Sequence, residues 1–288
     1  MFEVLSFTSS DGSPLKYGRL NHPEPPASGQ ALLFIPGLGG SVKGALHFLE
    51  LLLPRYNPIF APDLRGFGLN PVDIPLPQAP IIWQDLEAFH QQVLQPHTPD
   101  KMALCGISLG GVLSTLLATR HPQRFSSVTL LAPAYKPHQQ TFSPAYVLRN
   151  VLSHLLLGAR ARTQLPYGLE AITRNPTILN DPQFNGALKM PLTPGFLLGV
   201  RDWCNQAMRE IQTLQIPSLM VVPGQDIVCD PGAMRQAYER IPRHTPKQLL
   251  NYPDFYHDVL FEADYGRLAQ GILDGLASLT SEVGSGSS

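Results

Sequence analysis

The 288-residue chain has only three cysteines, Cys105, Cys204 and Cys229, and no pair of them is spaced C-x-x-C. A disulfide-stapled fold and a zinc cluster are therefore not expected, and the three read as small buried hydrophobes. An excess of charge of either sign is missing too. With 21 Lys and Arg against 22 Asp and Glu the formal net charge is −1, without the basic surplus that nucleic-acid phosphates call for. No stretch approaches the ~18 uninterrupted apolar residues of a membrane span. The opening M-F-E-V-L-S-F carries an acid at Glu3 and no basic region ahead of an apolar one, unlike a secretory signal. A soluble, cytoplasmic protein is the expectation. Proline, in contrast, is abundant: 29 residues, about twice the usual ~5%, which predicts many fixed loop entries and helix starts. The final G-S-G-S-S has the composition of a linker or tag.

The order of patterns points to fold class. Apolar alternation at Phe2, Val4 and Leu5, the turn signal Asp11-Gly12 and a second strand-like stretch Leu15 to Leu20 predict an antiparallel hairpin. Short apolar runs then alternate with helical periodicity. Strands are predicted at Ala31 to Ile35, Pro58 to Ala61, Met102 to Cys105 and Ser127 to Ala132. Helices are predicted at Lys43 to Leu53, Ile82 to Gln95 and Leu109 to Arg120. Repeated β-α-β units of this kind imply an α/β protein with a mostly parallel, doubly wound sheet. After Pro133 the alternation stops for ~60 residues, longer than a structureless loop in a compact domain should be. It resumes with helix Gly195 to Ile211, strand Ser218 to Val222, helix Pro231 to Arg240, strand Lys247 to Asn251 and a last helix from about Glu262 to Leu279. The expectation is a core over 1–133 and 195–283, a helical cap inserted at 134–194 and a linker at 284–288.

Chemistry concentrates in Cys105-Gly106-Ile107-Ser108-Leu109-Gly110-Gly111, a G-x-S-x-G between a predicted strand and a predicted helix. A serine on so tight a turn needs a strained backbone and neighbours without side chains, and the following helix aims its free amides at any oxyanion formed there. A nucleophilic Ser108 needs a base and an orienting acid. His257 lies in the loop after the last strand, and Asp226 lies in P-G-Q-D just beyond strand Ser218 to Val222, at the sheet edge where such folds place their sites. The rival acid, Asp230, precedes Pro231 and an amphipathic run and reads as a helix N-cap. Asp254 and Asp258 flank the base, and Asp258, next to it in the chain, is expected to point elsewhere. The oxyanion donors expected are the Leu109 amide and, from the glycine-rich loop Pro36 to Gly40, the Leu38 amide.

These motifs resemble the α/β-hydrolase superfamily, and within it the monoacylglycerol lipase and lysophospholipase-like group. The likeness rests on P-G-L-G-G, on Asp63-Leu64-Arg65-Gly66-Phe67-Gly68, on G-I-S-L-G-G, on P-G-Q-D-I-V-C-D, on Tyr256-His257-Asp258-Val259-Leu260-Phe261-Glu262 and on I-T-R-N-P. It covers nearly the whole chain. Two positions depart from the group: Pro36 stands before Gly37 and Phe67 stands in the arginine loop, each where a histidine is common. The resemblance implies a serine hydrolase that cleaves carboxylic esters, of monoacylglycerol or lysophospholipid type, through an acyl-enzyme and without a cofactor or metal. A thioesterase or an aminopeptidase would use the same residues, and a receptor-like relative would bind with little turnover. Aspartate in place of Ser108 would mark dehalogenase or epoxide hydrolase chemistry. Within the cap, Val147, Leu148, Val151, Leu152, Leu155 and Leu156 recur at helical spacing; Val151, Leu152, Leu155 and Leu156 are expected either to line an acyl pocket or simply to dock the helix on the main domain. Six basic residues against two acidic ones (Lys136, Arg149, Arg160, Arg162, Arg174 and Lys189 against Glu170 and Asp181) make the cap +4, a charge suited to transient contact with an anionic lipid surface.

Overall fold

The computed structural model describes residues 1–24, 29–71, 78–98, 100–180 and 190–285, with side chains to 279. Asp181 and Lys189 of the expected cap lie outside the described residues. Eight strands form one sheet: β1 (Phe2–Thr8), β2 (Pro14–Leu20), β3 (Gln30–Ile35), β4 (Tyr56–Pro62), β5 (Met102–Ile107), β6 (Phe125–Leu131), β7 (Ser218–Pro223) and β8 (Lys247–Tyr252), ordered β1-β2-β4-β3-β5-β6-β7-β8. The β1–β2 and β2–β4 pairs are antiparallel and every other pair is parallel. This is the α/β-hydrolase fold. Strands β5 and β7 are buried along their whole length, which is why they appear in the sequence as unbroken apolar runs rather than alternations.

Among the described residues, the helices of eight residues or more that cover the sheet or lie beside it are α1 (Val42–Leu52), α2 (Pro80–Phe89), α3 (Leu109–Arg120), α4 (Pro144–Leu157), α5 (Pro194–Glu210), α6 (Pro231–Arg240) and α7 (Tyr265–Ser285). The proline surplus is explained at their starts. Ser143-Pro144, Thr193-Pro194 and Asp230-Pro231 each place a side chain that accepts a first-turn amide just before a proline at the first helical position, where its missing N–H leaves nothing unsatisfied. Asp230 is thus a helix cap, its Oδ1 accepting from Gly232 N at 2.8 Å.

Two helices differ from expectation. The run predicted at Ile82 to Gln95 gives way after Phe89 to a wider π-type turn, His90–Leu94. In that region Gln92 caps the sheet edge, accepting from Thr8 N at 3.1 Å and donating to Thr8 O at 2.6 Å. The last helix begins at Tyr265, not Glu262, because Glu262 turns back to accept from Tyr256 N at 3.0 Å. It continues through 284 and 285, which were expected to belong to a linker, and 286–288 lie outside the described residues.

The Asp63-to-Gly68 motif holds the β4 end against the start of α1. Asp63 accepts from Val42 N at 2.6 Å and Leu69 N at 2.8 Å, and burial pushes its carboxyl up to about 6 against those bonds. Gly68 has φ +55, and a Cβ there would sit 2.1 Å from Asp63 Oδ2. Arg65 donates twice to Asp85, at 2.7 and 2.8 Å, and also reaches Ser9 and Asp11. Arg65 and Asp85 are both 7% exposed. Removing one partner of a buried pair strands the other's charge, so Arg65→Met is expected to lower stability by ~3–5 kcal/mol, whereas Arg65→Met with Asp85→Leu should recover most of that loss. Urea unfolding midpoints of the two variants check both outcomes.

Candidate active site

At the end of β5 the chain turns sharply into α3, and Ser108 stands on the turn with φ 54 and ψ −116. For a residue with a side chain that backbone is strained. Its fixing bonds are all main-chain: Ser108 N donates to Leu131 O at 2.9 Å, and Ser108 O accepts from Val112 N at 3.2 Å and Ala134 N at 3.1 Å. The flanking glycines are obligatory for space rather than for φ. A Cβ on Gly106 would meet Gly110 O at 2.2 Å, and one on Gly110 would meet Ile35 O at 2.0 Å.

Ser108, His257 and Asp226, 149 and 31 residues apart, form one chain of hydrogen bonds: His257 Nε2 to Ser108 Oγ is 2.9 Å and His257 Nδ1 to Asp226 Oδ2 is 2.7 Å. Because a carboxylate only accepts, Nδ1 carries the proton and Nε2 is left to accept from the hydroxyl. Asp226 is itself oriented by two amides, its Oδ1 accepting from Val228 N and Cys229 N at 2.8 Å each. The acid loop is clamped to the histidine loop by Gly224 N to Tyr252 O at 2.8 Å and Gln225 N to Phe255 O at 2.9 Å. Burial of His257 opposes its protonation, but the charge of Asp226 and its hydrogen bond outweigh burial, and the imidazole's pKa is raised above 6.5.

The glycine-rich loop after β3 lies against the serine: a Cβ on Gly37 would be 3.1 Å from Ser108 Cβ. Neither the Leu38 nor the Leu109 amide makes a hydrogen bond among the described residues. A cavity of about 60 Å³ opens beside Ser108. It is lined by Gly37, Leu38, Gly40 and Ala45 from the glycine-rich loop and α1, and by His257, Asp258, Leu260 and Phe261 from the histidine loop. Tyr167 and Ile172, from the segment between β6 and α5, also border it. These residues were not found in the sequence, and Asp258, expected to point elsewhere, lines the cavity.

The expectation for the cap leucines is not met. Leu152, Leu155 and Leu156 are 49%, 73% and 81% exposed, and with Val151 they are absent from the cavity lining. The one buried residue of α4 is Asn150, whose Nδ2 donates to Tyr146 O at 2.8 Å. The helix turns its polar side inward and leaves its apolar stripe in solvent, the reverse of the usual amphipathic rule. The I-T-R-N-P stretch instead braces the histidine loop. Ile172 O accepts from Asp258 N at 2.8 Å, Asn175 Nδ2 donates to Phe261 O at 2.9 Å, and Arg174 lies over the Tyr256 ring at 4.4 Å. Among the described residues, Asp226, Cys229 and His257 are the one group with three metal-ligand atoms within 4.8 Å of one another. Burial raises the Cys229 thiol pKa well above its usual value, so the sulfur stays protonated and is a poor ligand.

The fold, with Ser108 on its strand-to-helix turn, is that of the α/β-hydrolase class. Residues 26–264 match the family described as serine aminopeptidase, S33, and the chain belongs to that family. The pimeloyl-[acyl-carrier protein] methyl ester esterase of Aromatoleum aromaticum is 32% identical over 137 residues, 48% of this chain and 43% of that one. "Probable lysophospholipase BODYGUARD 2" of Arabidopsis thaliana is 30% identical over 120 residues, 39% of this chain and 25% of that one. The chain therefore matches less than half the length of these curated relatives. The crystal structure of Paleococcus ferrophilus monoacylglycerol lipase superposes with a TM-score of 0.76 over 92% of this chain and 99% of that one, at 19% identity, a likeness of fold.

The two aspartates should respond in opposite ways. Asp226→Asn is expected to lower kcat ~10⁴-fold through loss of the imidazole's tautomer, whereas Asp230→Ala should keep activity and lose ~1 kcal/mol of stability as a missing cap. With His257 acting as a base, the neutral imidazole would be the active form; its pKa is raised, so kcat/KM is expected to fall as pH drops through an apparent pKa above 6.5. In residual Asp226→Asn activity that inflection should move to lower pH, since the charge that raised it is gone. Steady-state rates from pH 5 to 9 check both.

Proposed function

We propose that this protein hydrolyses carboxylic esters through an acyl-enzyme on Ser108. The observation that carries this reading is the continuous Ser108–His257–Asp226 hydrogen-bond chain beside two backbone amides, of Leu38 and Leu109, with no partner among the described residues. His257 Nε2 takes the Ser108 proton as Oγ adds to the ester carbonyl, and Asp226 stabilises the imidazolium. The Leu38 and Leu109 amides, with the positive end of α3, receive the oxyanion; each donor of this kind is worth ~10²–10³ in rate. His257 then protonates the departing alcohol, and water repeats the sequence to release the acid. No step requires a cofactor. The names of the relatives, a methyl ester esterase and a lysophospholipase, support ester chemistry over the peptide cleavage in the family's description.

The substrate class is a lipid-type ester, an acyl chain on a small alcohol as in a monoacylglycerol or lysophospholipid, met at a membrane surface. Exposed Leu148, Leu152, Leu155, Leu156 and Leu157 of α4 support this, since so much apolar area on one exposed helix marks an interaction site. Exposed Arg149, Arg160 and Arg162 beside them suit an anionic surface. No described helix is long and apolar enough to cross a membrane, so the contact is peripheral. The stripe thus serves to dock the protein instead of lining the acyl pocket.

Two experiments test this. Ser108→Ala should lose ~10⁶-fold in kcat and all labelling by a fluorophosphonate; an active, unlabelled variant would overturn the nucleophile. Leu155→Ser with Leu156→Ser should weaken binding to anionic vesicles more than tenfold, as ~1.5–3 kcal/mol is lost for each leucine no longer buried, while hydrolysis of a water-soluble ester is unchanged. Binding of the unmodified protein should fall with added salt, whose screening length is ~10 Å at 0.1 M.

A further inference from the structure

The cavity at Ser108 is bordered by His257 and the residue after it, Asp258. In acyl transfer the imidazole that accepts the serine proton must next donate it to the leaving-group oxygen, so the leaving group lies over the histidine and the acyl chain runs away from it. Here His257, Asp258, Leu260 and Phe261 of the histidine loop all line the cavity, together with Gly40 and with Gly44 and Ala45 of α1. The cavity is lined mainly by apolar groups, with Ser41, Ser108, Tyr167, His257 and Asp258 among them, and at about 60 Å³ it holds a short arm of a few heavy atoms.

One charged side chain borders it. Asp258 Oδ1 accepts from Leu260 N at 3.2 Å, and Asp258 N donates to Ile172 O at 2.8 Å, which fixes the residue between the histidine loop and the inserted segment. The groups acting on its carboxyl are His257 beside it, His47 from α1 and Glu262 from its own loop. Of the cations on neighbouring elements, Lys43 of α1 acts on Asp63, and Arg174 of the inserted segment lies over Tyr256. His47 is directed elsewhere, its Nε2 donating to Leu260 O at 2.7 Å. Burial raises the Asp258 pKa to about 6, so at neutral pH most molecules hold a carboxylate against a mainly apolar cavity. Such a charge favours a cationic partner.

We propose that Asp258 is a specificity residue that binds a cationic group on the leaving alcohol, making esters of small amino alcohols preferred substrates. This rests on the ester-hydrolase reading above. In turnover the ester C–O bond breaks, Nε2–H passes its proton to the amino-alcohol oxygen, and the ammonium stays paired with Asp258 until the product leaves.

The test compares two esters of one acid that match in shape, 2-(dimethylamino)ethyl and 3-methylbutyl, which differ in carrying N–H⁺ or C–H at the branch. At pH 7.5 kcat/KM for the cationic ester should exceed that for the neutral one by about tenfold, the effect of one partly buried charge pair. The ratio should fall toward one as pH drops below about 6, where Asp258 takes up a proton; His257 titration affects both esters and cancels. Asp258→Asn should bring the ratio to one at every pH, and Asp258→Glu should restore part of it. A ratio of one in the unmodified protein, a preference that survives Asp258→Asn, or a larger Asp258-dependent preference for a 2,3-dihydroxypropyl ester would each overturn the proposal. If neither ester turns over, fluorophosphonate labelling of Ser108 decides. Protection by 2-(dimethylamino)ethanol but not by 3-methylbutanol supports the proposal, and equal protection or none overturns it. Absence of labelling would instead remove the ester-hydrolase reading, and this inference with it.

Discussion

The site depends first on the close approach of three backbones around Ser108. Gly106 and Gly110 allow β5 and α3 to meet at a turn where an added Cβ would lie within 2.2 Å of a carbonyl oxygen. The strain of a non-glycine residue at φ 54, of order ~1–3 kcal/mol, is held by hydrogen bonds to β6 and to the chain just after it. The sheet is therefore both the scaffold and the restraint. Gly37 can rest against Ser108 because β3 lies beside β5 in the sheet, and Asp63 in turn fixes the start of α1, which follows that loop.

Much of this was legible because each signal has a local physical cause. The fully buried strands β5 and β7 appear as apolar runs, α3 and α6 begin and end where the sequence indicates, and the distinction between Asp226 and Asp230 followed from the proline after Asp230. The strand order placed Asp226 and His257 on neighbouring strand ends, so adjacency in the sheet stood in for the long separation in sequence. Helix boundaries were less legible where side chains overrode propensity. Glu262 bonds back to Tyr256 N and delays α7, which composition alone does not reveal.

The inserted segment was the least legible part. Helical spacing of Leu148, Leu152, Leu155 and Leu156 identifies a stripe but not its partner, and periodicity cannot distinguish a face turned to a cavity from a face turned to solvent. The deciding residue is Asn150, a polar position buried by a bond to its own helix. Asp258 was missed for a related reason. Alternation along an extended chain would turn it away from His257, but the loop there is not extended, since Asp258 and Leu260 close a tight turn.

The bonds from Ile172 and Asn175 to the histidine loop have a consequence for how such a chain can change over time. Inserted segments in this fold look like interchangeable modules hung on a common chassis. Here the module holds the loop that carries His257, so a transplanted segment would have to reproduce one main-chain and one side-chain anchor point as well as a new binding surface. Recombination at this junction would then be filtered for alignment of His257 before any novel selectivity could be selected, and drift at Asn175, whose side chain makes the bond, would be felt at His257 although it lies outside the Ser108–His257–Asp226 chain.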